Sequence, residues 1–330
     1  MQIIVNEAGD FGLSYEHSVC EGIPIVNMAQ TIKKQLKTTK EKYYFGTKEV
    51  PFKQFQAAGE VHKATVAAEQ RLLSLQSRLD MEKYHFKSFG KNFIKKQNMS
   101  PDAFVQVALQ LSYYEIYNRL CSTYESASLR RFKNGRVENI RAATTAALQF
   151  CKYIHDNPAP VVRNCLELTV LFKSLATRSK IVLVHKCGWL YKLDCRKIRN
   201  CEINLETILI FQGTKSIDLL TKAIRFQTQV TQLAITGRGI DNHLLAVERV
   251  AKESGLEVPG FLRDSNYDLF NNFKLSTSQV QTSSAQMIMC YGPVVPDGYG
   301  VCYNPQKVPI ADVSDKRVLS PTIITNIDVL

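Results

Sequence analysis

The sequence predicts a layered α/β fold. Residues 53–85 and 217–252 place apolar side chains at three- and four-residue steps, which is the spacing of amphipathic helices. Isolated β-type runs occur at residues 1–5, 273–280 and 286–303. Helices that alternate with isolated strands are typical of a sheet covered by helices. With 45% hydrophobic residues, a chain of 330 residues can form one large domain or two modest ones.

The first 85 residues are predicted to begin in a strand and to end in a helix. Residues 1–5 start directly as a β-type run, which suggests that the complete protein has further sequence upstream. Residues 12–26 mix glycine and proline, and they predict a loop followed by a short strand at 24–26. The apolar positions that define the helix at 53–85 are Val61, Ala64, Ala68, Leu72, Leu75 and Leu79.

A clear helix start follows a lysine-rich loop at residues 87–96. Ser100 supplies an N-cap hydroxyl, Pro101 occupies the first helical position, and Asp102 places an acid in the first turn. The sequence therefore predicts a helix that begins at this point.

Glycine residues predict a turn and a break between helices in the second half of the chain. The pair Asn134-Gly135 predicts a turn, and glycines within 237–239 divide residues 217–252 into two helices. Residues 273–280 are predicted to form a strand, and residues 286–303 a hairpin around the string GPVVPDGYG.

Charge is distributed unevenly along the chain. The net charge of +12 is compatible with nucleic acid, an anionic membrane surface, an anionic substrate or a solvated basic surface. Residues 161–215 hold ten Lys or Arg against four Asp or Glu, so this segment contributes half of the excess. Because one segment accounts for so much of the charge, no nucleic-acid partner is predicted for the protein as a whole.

The nine cysteines occur at irregular spacings and include no C-x-x-C pair, which favours reduced thiols in an intracellular protein. Cys187, Cys195 and Cys201 with His185 match no common zinc spacing, so no metal site is predicted. The N-terminus lacks the apolar core of a signal peptide, and no run of about 18 apolar residues occurs to span a membrane. We therefore expect a cytoplasmic protein.

Two groups of titratable residues are candidates for catalysis or binding, and each also has an ordinary structural explanation. His17, with Glu16 and Glu21 nearby, could accept a proton near neutral pH, although a lone loop histidine is more often a surface or packing residue. Lys91 and Lys95 stand four residues apart and could hold one phosphate group, or they could belong to a solvated basic loop.

Two further groups of residues are candidates for binding through hydroxyl groups or an aromatic ring. Ser276 and Ser278 share one face of a predicted strand, where their hydroxyls could bind an oxyanion or form an ordinary polar face. Tyr291 begins the predicted hairpin connection, and its ring could hold a quaternary ammonium by a cation–π contact or pack as a core aromatic.

The order and identity of these patterns together resemble the carnitine and choline acyltransferase family. The resemblance covers residues 1–157 and 216–305. It is carried by the successive strings YEHS…EG, FGKNF…SPDAF, STYESAS..RF..GR, STSQV and YGPVVPDGYGVCYNP. It implies the layered fold of CoA-dependent acyltransferases, which is chloramphenicol-acetyltransferase-like, with a mixed sheet flanked by helices and incomplete in this chain.

The resemblance implies catalysis by a general base without an acyl-enzyme. His17 matches the family's catalytic histidine, and Glu21 matches the acidic position that follows it. Ser278 matches the hydroxyl that stabilises the tetrahedral oxyanion. The expected co-substrate is acetyl-CoA, and no permanently bound cofactor or metal is expected.

The resemblance also implies a CoA site. Lys91 and Lys95 match the lysines near the 3′-phosphate of CoA, and Asp102 matches a neighbouring CoA contact. Glu125 and Ser126, in the string STYESAS, are assigned to the same site.

The expected acyl acceptor is choline. Tyr124, Ser276 and Tyr291 match acceptor-site positions. Carnitine-specific members place Thr and Arg where this chain has Val137 and Asn242, and an apolar valine with a neutral amide cannot neutralise carnitine's carboxylate. A carnitine O-acyltransferase and a truncated, non-catalytic family member are the alternatives.

The family pattern divides the chain into segments. Residues 1–58 match the end of the N-terminal half, and residues 59–160 with 216–305 match the C-terminal half. Residues 161–215 are predicted to be an insertion foreign to the family, and residues 306–330 a divergent tail. The chain as written is expected to be poorly active or inactive, and the complete protein to be monomeric.

Overall fold

The structure is a computed structural model in which eleven stretches of the chain are described. The described residues are 1–7, 10–18, 20–38, 59–77, 79–83, 89–157, 183–184, 190–191, 205–279, 289–305 and 322–326. Most of the predicted insertion, with Cys187, Cys195, Cys201 and His185, therefore lies outside the described residues. The chain divides into two compact units, residues 1–77 with 280–287 and residues 78–279 with 288–330.

The first unit opens with a two-stranded antiparallel hairpin. Strands β1 (Gln2–Val5) and β2 (Phe11–Ser14) pair from Gln2 opposite Ser14 to Val5 opposite Phe11. This confirms the strand predicted at the start of the chain. The turn is closed by the Asn6 side chain, whose Oδ1 accepts from the Asp10 backbone N–H at 2.8 Å.

Helix α1 (Gly22–Thr38) follows the hairpin, so the short strand predicted at residues 24–26 is wrong. Val26 and Ala29 are buried, and their three-residue spacing gives α1 one apolar face. Pro24 is compatible with this helix because the first-turn N–H groups have no intrahelical partner.

Helix α2 (Gly59–Ser77) confirms the helix predicted at 53–85 over most of its length. The C-terminal end of that prediction is wrong, because strand β3 (Leu79–Lys83) follows directly. Val61 and Leu72, which were expected on the apolar face, are more than half exposed at 53% and 65%. The pairing of β3 with a strand more than 200 residues later in the sequence cannot be read from local periodicity.

The second unit is built on a six-stranded mixed sheet, with strand order β3-β10-β9-β8-β4-β5. Strands β4, β8 and β9 run parallel, and the outer pairings are antiparallel. The expected α/β fold with a mixed sheet and flanking helices is confirmed. The remaining strands of the sheet are β4 (Thr123–Ser128), β5 (Val137–Asn139), β8 (Leu275–Gln279), β9 (Tyr299–Tyr303) and β10 (Thr322–Asn326).

The helices of this unit are α3 (Lys91–Lys96), α4 (Pro101–Tyr117), α5 (Thr145–Asp156), α6 (Leu205–Ile235), α7 (Asp241–Glu253) and α8 (Ser265–Asn271). A 3₁₀ turn forms at Gly260–Arg263. Two short strands, β6 (Leu183–Val184) and β7 (Leu190–Tyr191), pair with each other outside the main sheet.

Helix α4 is the centre of the second unit. Its start is the one predicted from the sequence, because Ser100 Oγ accepts from the Ala103 N–H at 3.3 Å. One side of α4 packs on the sheet through Val105 and Leu109, which contact β8 and β9. The opposite side packs on α5 and α6 through Val107 and Leu111. The helix is thus covered on both sides, and its buried surface includes the polar residues Gln106 and Gln110 as well as apolar ones.

Two other local predictions need correction. Residues 91–96 form helix α3 instead of a loop, because buried Ile94 and the contact of the Phe89 and Phe93 rings anchor a turn there. In the predicted hairpin only Tyr299–Tyr303 is a strand among the described residues 289–305. Pro293 and Pro296 lack the N–H groups that a paired strand would use. The break predicted at 237–239 is confirmed between α6 and α7, where Gly237 has φ +74.

Candidate functional site

The central strands of the second unit present two chemically different faces. Tyr124 of β4 lies opposite Ser276 of β8 in the parallel register. Because side chains alternate along a strand, Tyr124, Ser126, Ser276 and Ser278 share one face of the sheet, which we call the hydroxyl face. The other face carries Glu125 and its neighbours toward α4, and we call it the α4 face. Three predicted acceptor or catalytic positions, Tyr124, Ser276 and Ser278, therefore lie on the same face.

Ser276 and Tyr291 meet on the hydroxyl face. The Ser276 hydroxyl, which is 2% exposed, donates to Tyr291 Oη at 3.4 Å. A Cβ at Gly300, the strand neighbour of Ser276, would lie 2.6 Å from the Tyr291 carbonyl oxygen, so glycine is needed there. Burial raises the pKa of the Tyr291 phenol well above its ordinary value, with nearby Cys302 as a lesser cause. The phenol therefore stays neutral and can donate a hydrogen bond.

The position of Tyr124 is fixed from two sides. Its ring meets Phe273 edge-on, with the centroids 5.6 Å apart. Its backbone carbonyl accepts from Thr277 Oγ1 at 2.9 Å. An aromatic ring held in this way can line a binding site at a small entropic cost.

Val137 and Asn242, more than 100 residues apart in the sequence, are in direct contact. The Asn242 amide donates to the Val137 carbonyl at 2.9 Å, and the Asn242 backbone N–H donates to Glu138 Oε1 at 3.3 Å. A Cβ at Gly239 would lie 2.3 Å from Glu138 Cγ, so glycine allows α7 to begin against β5. The two positions used to argue acceptor choice thus belong to one local site.

Arg141 was not identified from the sequence. Its guanidinium pairs with Asp241 at the start of α7, donates to Asn271 Oδ1 at 2.9 Å, and lies 3.5 Å from the Phe270 ring centroid. These partners join α7 and α8 to the end of β5, next to Asn242. No spacing in the sequence connects residues separated by 100 or more positions, so only the fold brings this cluster together.

Glu125 lies on the α4 face and is 3% exposed. Its neighbour Ser126 is exposed and lies on the hydroxyl face, so the two residues assigned to CoA have opposite surroundings. Burial raises the pKa of the Glu125 carboxyl well above its ordinary value, and the nearby charge of Asp102 raises it further. Glu125 therefore retains its proton at pH values where an exposed carboxyl has lost it.

The predicted lysines lie on a short helix that precedes Asp102. Lys91 and Lys95 stand four residues apart on α3, which places them on one side of the helix. Ile94 is buried between them and accepts from the Met99 N–H at 3.3 Å. Asp102 then occupies the first turn of α4, where the helix dipole favours a negative charge.

His17 lies in the first unit. Its side chain is 63% exposed, and its Nε2 lies 3.8 Å from Glu21 Oε2. The Tyr15 ring stacks beside the imidazole at 5.8 Å between centroids. Glu16 accepts from the Ser18 backbone N–H at 3.1 Å, and this hydrogen bond lowers the Glu16 pKa. Of the two acids near His17 in sequence, Glu21 is therefore the one placed beside the ring.

Comparison with known proteins identifies the family. The sequence model described as Choline/Carnitine o-acyltransferase matches residues 1–193 and 205–311. Choline O-acetyltransferase of Danio rerio is 38% identical over 311 residues, which are 93% of this chain and 41% of the relative. The Mus musculus choline O-acetyltransferase is 36% identical over 92% of this chain and 40% of its own length. Carnitine O-acetyltransferase of Rattus norvegicus is 33% identical over 94% of this chain and 41% of its own length.

This chain belongs to the choline/carnitine O-acyltransferase family. It spans about two-fifths of the length of the curated relatives that it matches. The family match runs into residues 161–193, within the segment predicted to be an insertion, and that segment's status stays a prediction.

The roles assigned to individual residues also stay predictions for this member of the family. Within the described residues, no group of three or more His, Cys, Asp or Glu side chains is arranged to hold a metal ion. In the same part of the chain, no helix is both long enough and apolar enough to cross the bilayer.

Proposed function

We propose that this chain supports the transfer of an acetyl group from acetyl-CoA to choline. The contact of Asn242 with Val137, beside the buried Glu138 carboxylate, is the observation that carries the choice of acceptor. A substrate carboxylate at this position would meet an apolar side chain, a neutral amide and a second carboxylate. Asn242 is exposed and Val137 is half-buried, so the cost of desolvating that carboxylate arises when a bound acceptor covers the site. A carboxylate buried there without a cation would be disfavoured, and an acceptor without a carboxylate fits better.

In the proposed chemistry, His17 passes one proton from choline's hydroxyl to the CoA thiolate in two transfers, while the acetyl group moves from sulfur to oxygen. The His17 imidazole takes the proton of choline's hydroxyl, and Glu21 orients the ring. The resulting oxygen attacks the thioester carbonyl of acetyl-CoA, and a tetrahedral oxyanion forms. When that intermediate collapses, the carbon–sulfur bond breaks and the CoA thiolate receives the proton from His17. No covalent acyl-enzyme is required.

Ser278 is proposed to donate a hydrogen bond to the oxyanion. It is half-buried on the hydroxyl face, one position from Thr277, whose own hydroxyl is committed to the Tyr124 carbonyl. A rigid strand holds such a donor with little reorganisation, and losing one typically costs about 3–4 kcal/mol of transition-state stabilisation. Ser276 and the neutral phenol of Tyr291 support the same face, and Tyr124 is proposed to contact the acceptor.

The CoA end of the site is proposed to begin at Lys91 and Lys95, which would hold phosphate as point charges. Asp102 is proposed to contact CoA nearby, together with Ser126. Glu125 would act indirectly, because its side chain is buried on the α4 face. A cytoplasmic, monomeric complete enzyme without a nucleic-acid partner remains our expectation.

Calorimetric titration of the purified full chain with choline and with L-carnitine tests the acceptor. We expect choline to bind more tightly. The double substitution Val137→Thr with Asn242→Arg should reverse that order, because it introduces a cation and a hydroxyl. Asn157→Arg is the matched control, since Asn157 makes the same kind of amide-to-carbonyl bond to Tyr153 at 2.9 Å. Tighter binding of carnitine to the unmodified chain would refute the assignment.

Transfer to carnitine is the second candidate, because the family also contains carnitine O-acetyltransferases at 33% identity. The same titration separates the two, since each acceptor is measured on the same chain.

A further inference from the structure

A buried polar network joins the start of α4 to the sheet on the α4 face. The Tyr303 hydroxyl, which is 2% exposed, donates to Asp102 Oδ1 at 2.6 Å. The Gln106 amide donates one proton to Tyr303 Oη and the other to Thr277 Oγ1, both at 2.9 Å. Glu125 Oε1 also faces Tyr303 Oη, at 3.4 Å. Two carboxyl groups therefore meet at one phenol.

The number of protons at this phenol determines the ionisation of the pair. A hydroxyl carries a single proton, and the much shorter contact to Asp102 uses it. Both amide protons of Gln106 are committed as well. The contact between Tyr303 Oη and Glu125 Oε1 is therefore a hydrogen bond only if Glu125 supplies the proton. Of the two acids, Asp102 is then the ionised one, and its place in the first turn of α4 favours a negative charge.

The surroundings of Glu125 agree with a neutral acid. Its second oxygen, Oε2, is buried and has no hydrogen-bond partner among the described residues. An unpartnered carbonyl oxygen of a protonated acid costs much less than an unpartnered carboxylate oxygen. Among the described residues, the titratable groups that face Glu125 are Asp102 on α4 and Tyr303 on β9, and neither is a cation.

We propose that Tyr303 is a positioning residue for CoA, whose hydroxyl holds the ionised Asp102 carboxylate in place while Glu125 remains protonated. The assignment rests on the proposed CoA contact of Asp102. Through Gln106 and Thr277 the same network reaches β8, and through the Tyr124 carbonyl it reaches β4. The first turn of α4 is thereby connected by hydrogen bonds to β9, β8 and β4, three strands of the sheet that carries the hydroxyl face.

The first test measures the CoA affinity of the full chain by calorimetry at pH 7. Tyr303→Phe removes the hydroxyl and should weaken CoA binding about tenfold, as for the loss of a hydrogen bond to a charged group. Tyr299→Phe is the matched control on the same strand and face, because the Tyr299 hydroxyl contacts Tyr117 Oη at 2.5 Å instead of Asp102. Glu125→Gln keeps a donor toward Tyr303 and should weaken CoA binding less than Tyr303→Phe does.

A double-mutant cycle distinguishes positioning from a general loss of structure. If Tyr303 acts through Asp102, Tyr303→Phe should cause no further loss of CoA affinity in an Asp102→Asn background. Additive losses, an unaffected Tyr303→Phe variant, or a tenfold loss in Glu125→Gln would each overturn the proposal.

A measurement without ligand keeps the inference separate from the proposed function. Amide hydrogen exchange of residues 103–106 should be faster in Tyr303→Phe than in Tyr299→Phe, because the first turn of α4 loses its hold on the sheet. If the unmodified chain binds no CoA, the proposed CoA site fails, and the role of Tyr303 in CoA binding fails with it. Faster exchange would then show that Tyr303 still holds Asp102, and unchanged exchange would reject that as well.

Discussion

Replacing Glu125 by glutamine should remove a specific pH dependence of stability. The folded state holds a proton on Glu125 because burial and the charge of Asp102 raise the pKa of this carboxyl. In the unfolded chain the same group has an ordinary pKa near 4.5. Above pH 4.5 the folded state therefore binds one more proton than the unfolded state, until the pH reaches the folded-state pKa.

The sign and size of the effect follow from proton linkage. The contribution of Glu125 to stability is fully present below pH 4.5, and it is lost as the pH rises toward the raised folded-state pKa. One proton corresponds to a slope of about 1.4 kcal/mol per pH unit. Glu125→Gln cannot titrate, so the difference in unfolding free energy between the unmodified chain and the variant should carry this slope.

Urea unfolding followed by circular dichroism at several values between pH 5 and 7 measures that difference. Glu253→Gln, at the exposed C-terminal end of α7, controls for the change in net charge. Titrating groups that do not interact with Glu125 contribute equally to both chains, so subtraction isolates the interacting pair of Glu125 and Asp102. A difference that stays constant with pH, or that grows in favour of the unmodified chain as the pH rises, would refute a protonated Glu125.

Three further outcomes are expected. The unmodified chain is expected to release CoA only slowly in the presence of choline, and His17→Ala should lower that rate to the uncatalysed level, measured with a thiol reagent, because the proposed base is lost. Glu16→Gln should change the rate little, and a rate clearly above the uncatalysed level that His17→Ala leaves unchanged would contradict the mechanism. Gly239→Ala should destabilise the fold by about 1–3 kcal/mol, because a Cβ would lie 2.3 Å from Glu138 Cγ. The control Gly260→Ala should be near neutral, because a Cβ there meets no atom within 4 Å. Thermal unfolding measures both variants. Arg141→Leu should cost about 3 kcal/mol in urea unfolding, because it leaves Asp241 without its ion-pair partner; a loss below that of the exposed control Arg263→Leu would contradict this.

Local signals in the sequence were sufficient where one turn decides the structure. Ser100, Pro101 and Asp102 predicted the start of α4, and the Ser100 hydroxyl caps the helix as expected. The glycine break between α6 and α7 was predicted for the same reason, since Gly237 adopts a positive φ. In both places the information lies within four or five residues.

Predictions failed where a distant partner decides the structure. Residues 79–83 continued a helical pattern but form β3, because β10 pairs with them. Residues 24–26 resembled a strand but belong to α1, whose buried face only appears when Val26 and Ala29 are considered together. A β-branched, apolar run of three residues does not distinguish these outcomes.

The candidate site shows the same division. Motif resemblance named Val137 and Asn242, and the structure brings them into contact. It did not name Arg141 or Tyr303, because their partners are 100 and 201 residues away and no spacing rule applies. It also assigned Glu125 and Ser126 to one ligand, although neighbouring residues of a strand project in opposite directions.

The alternation along β8 makes this strand intolerant of length changes. Thr277 serves the buried network, whereas Ser276 and Ser278 serve the opposite face. A single residue inserted before Ser276 would turn each of these side chains to the opposite face of the sheet. Gln106 would then face a serine in place of Thr277, and the acceptor side would receive a threonine in place of its two serines. A substitution in this strand changes one face of the sheet, but an insertion or deletion would change both faces at once.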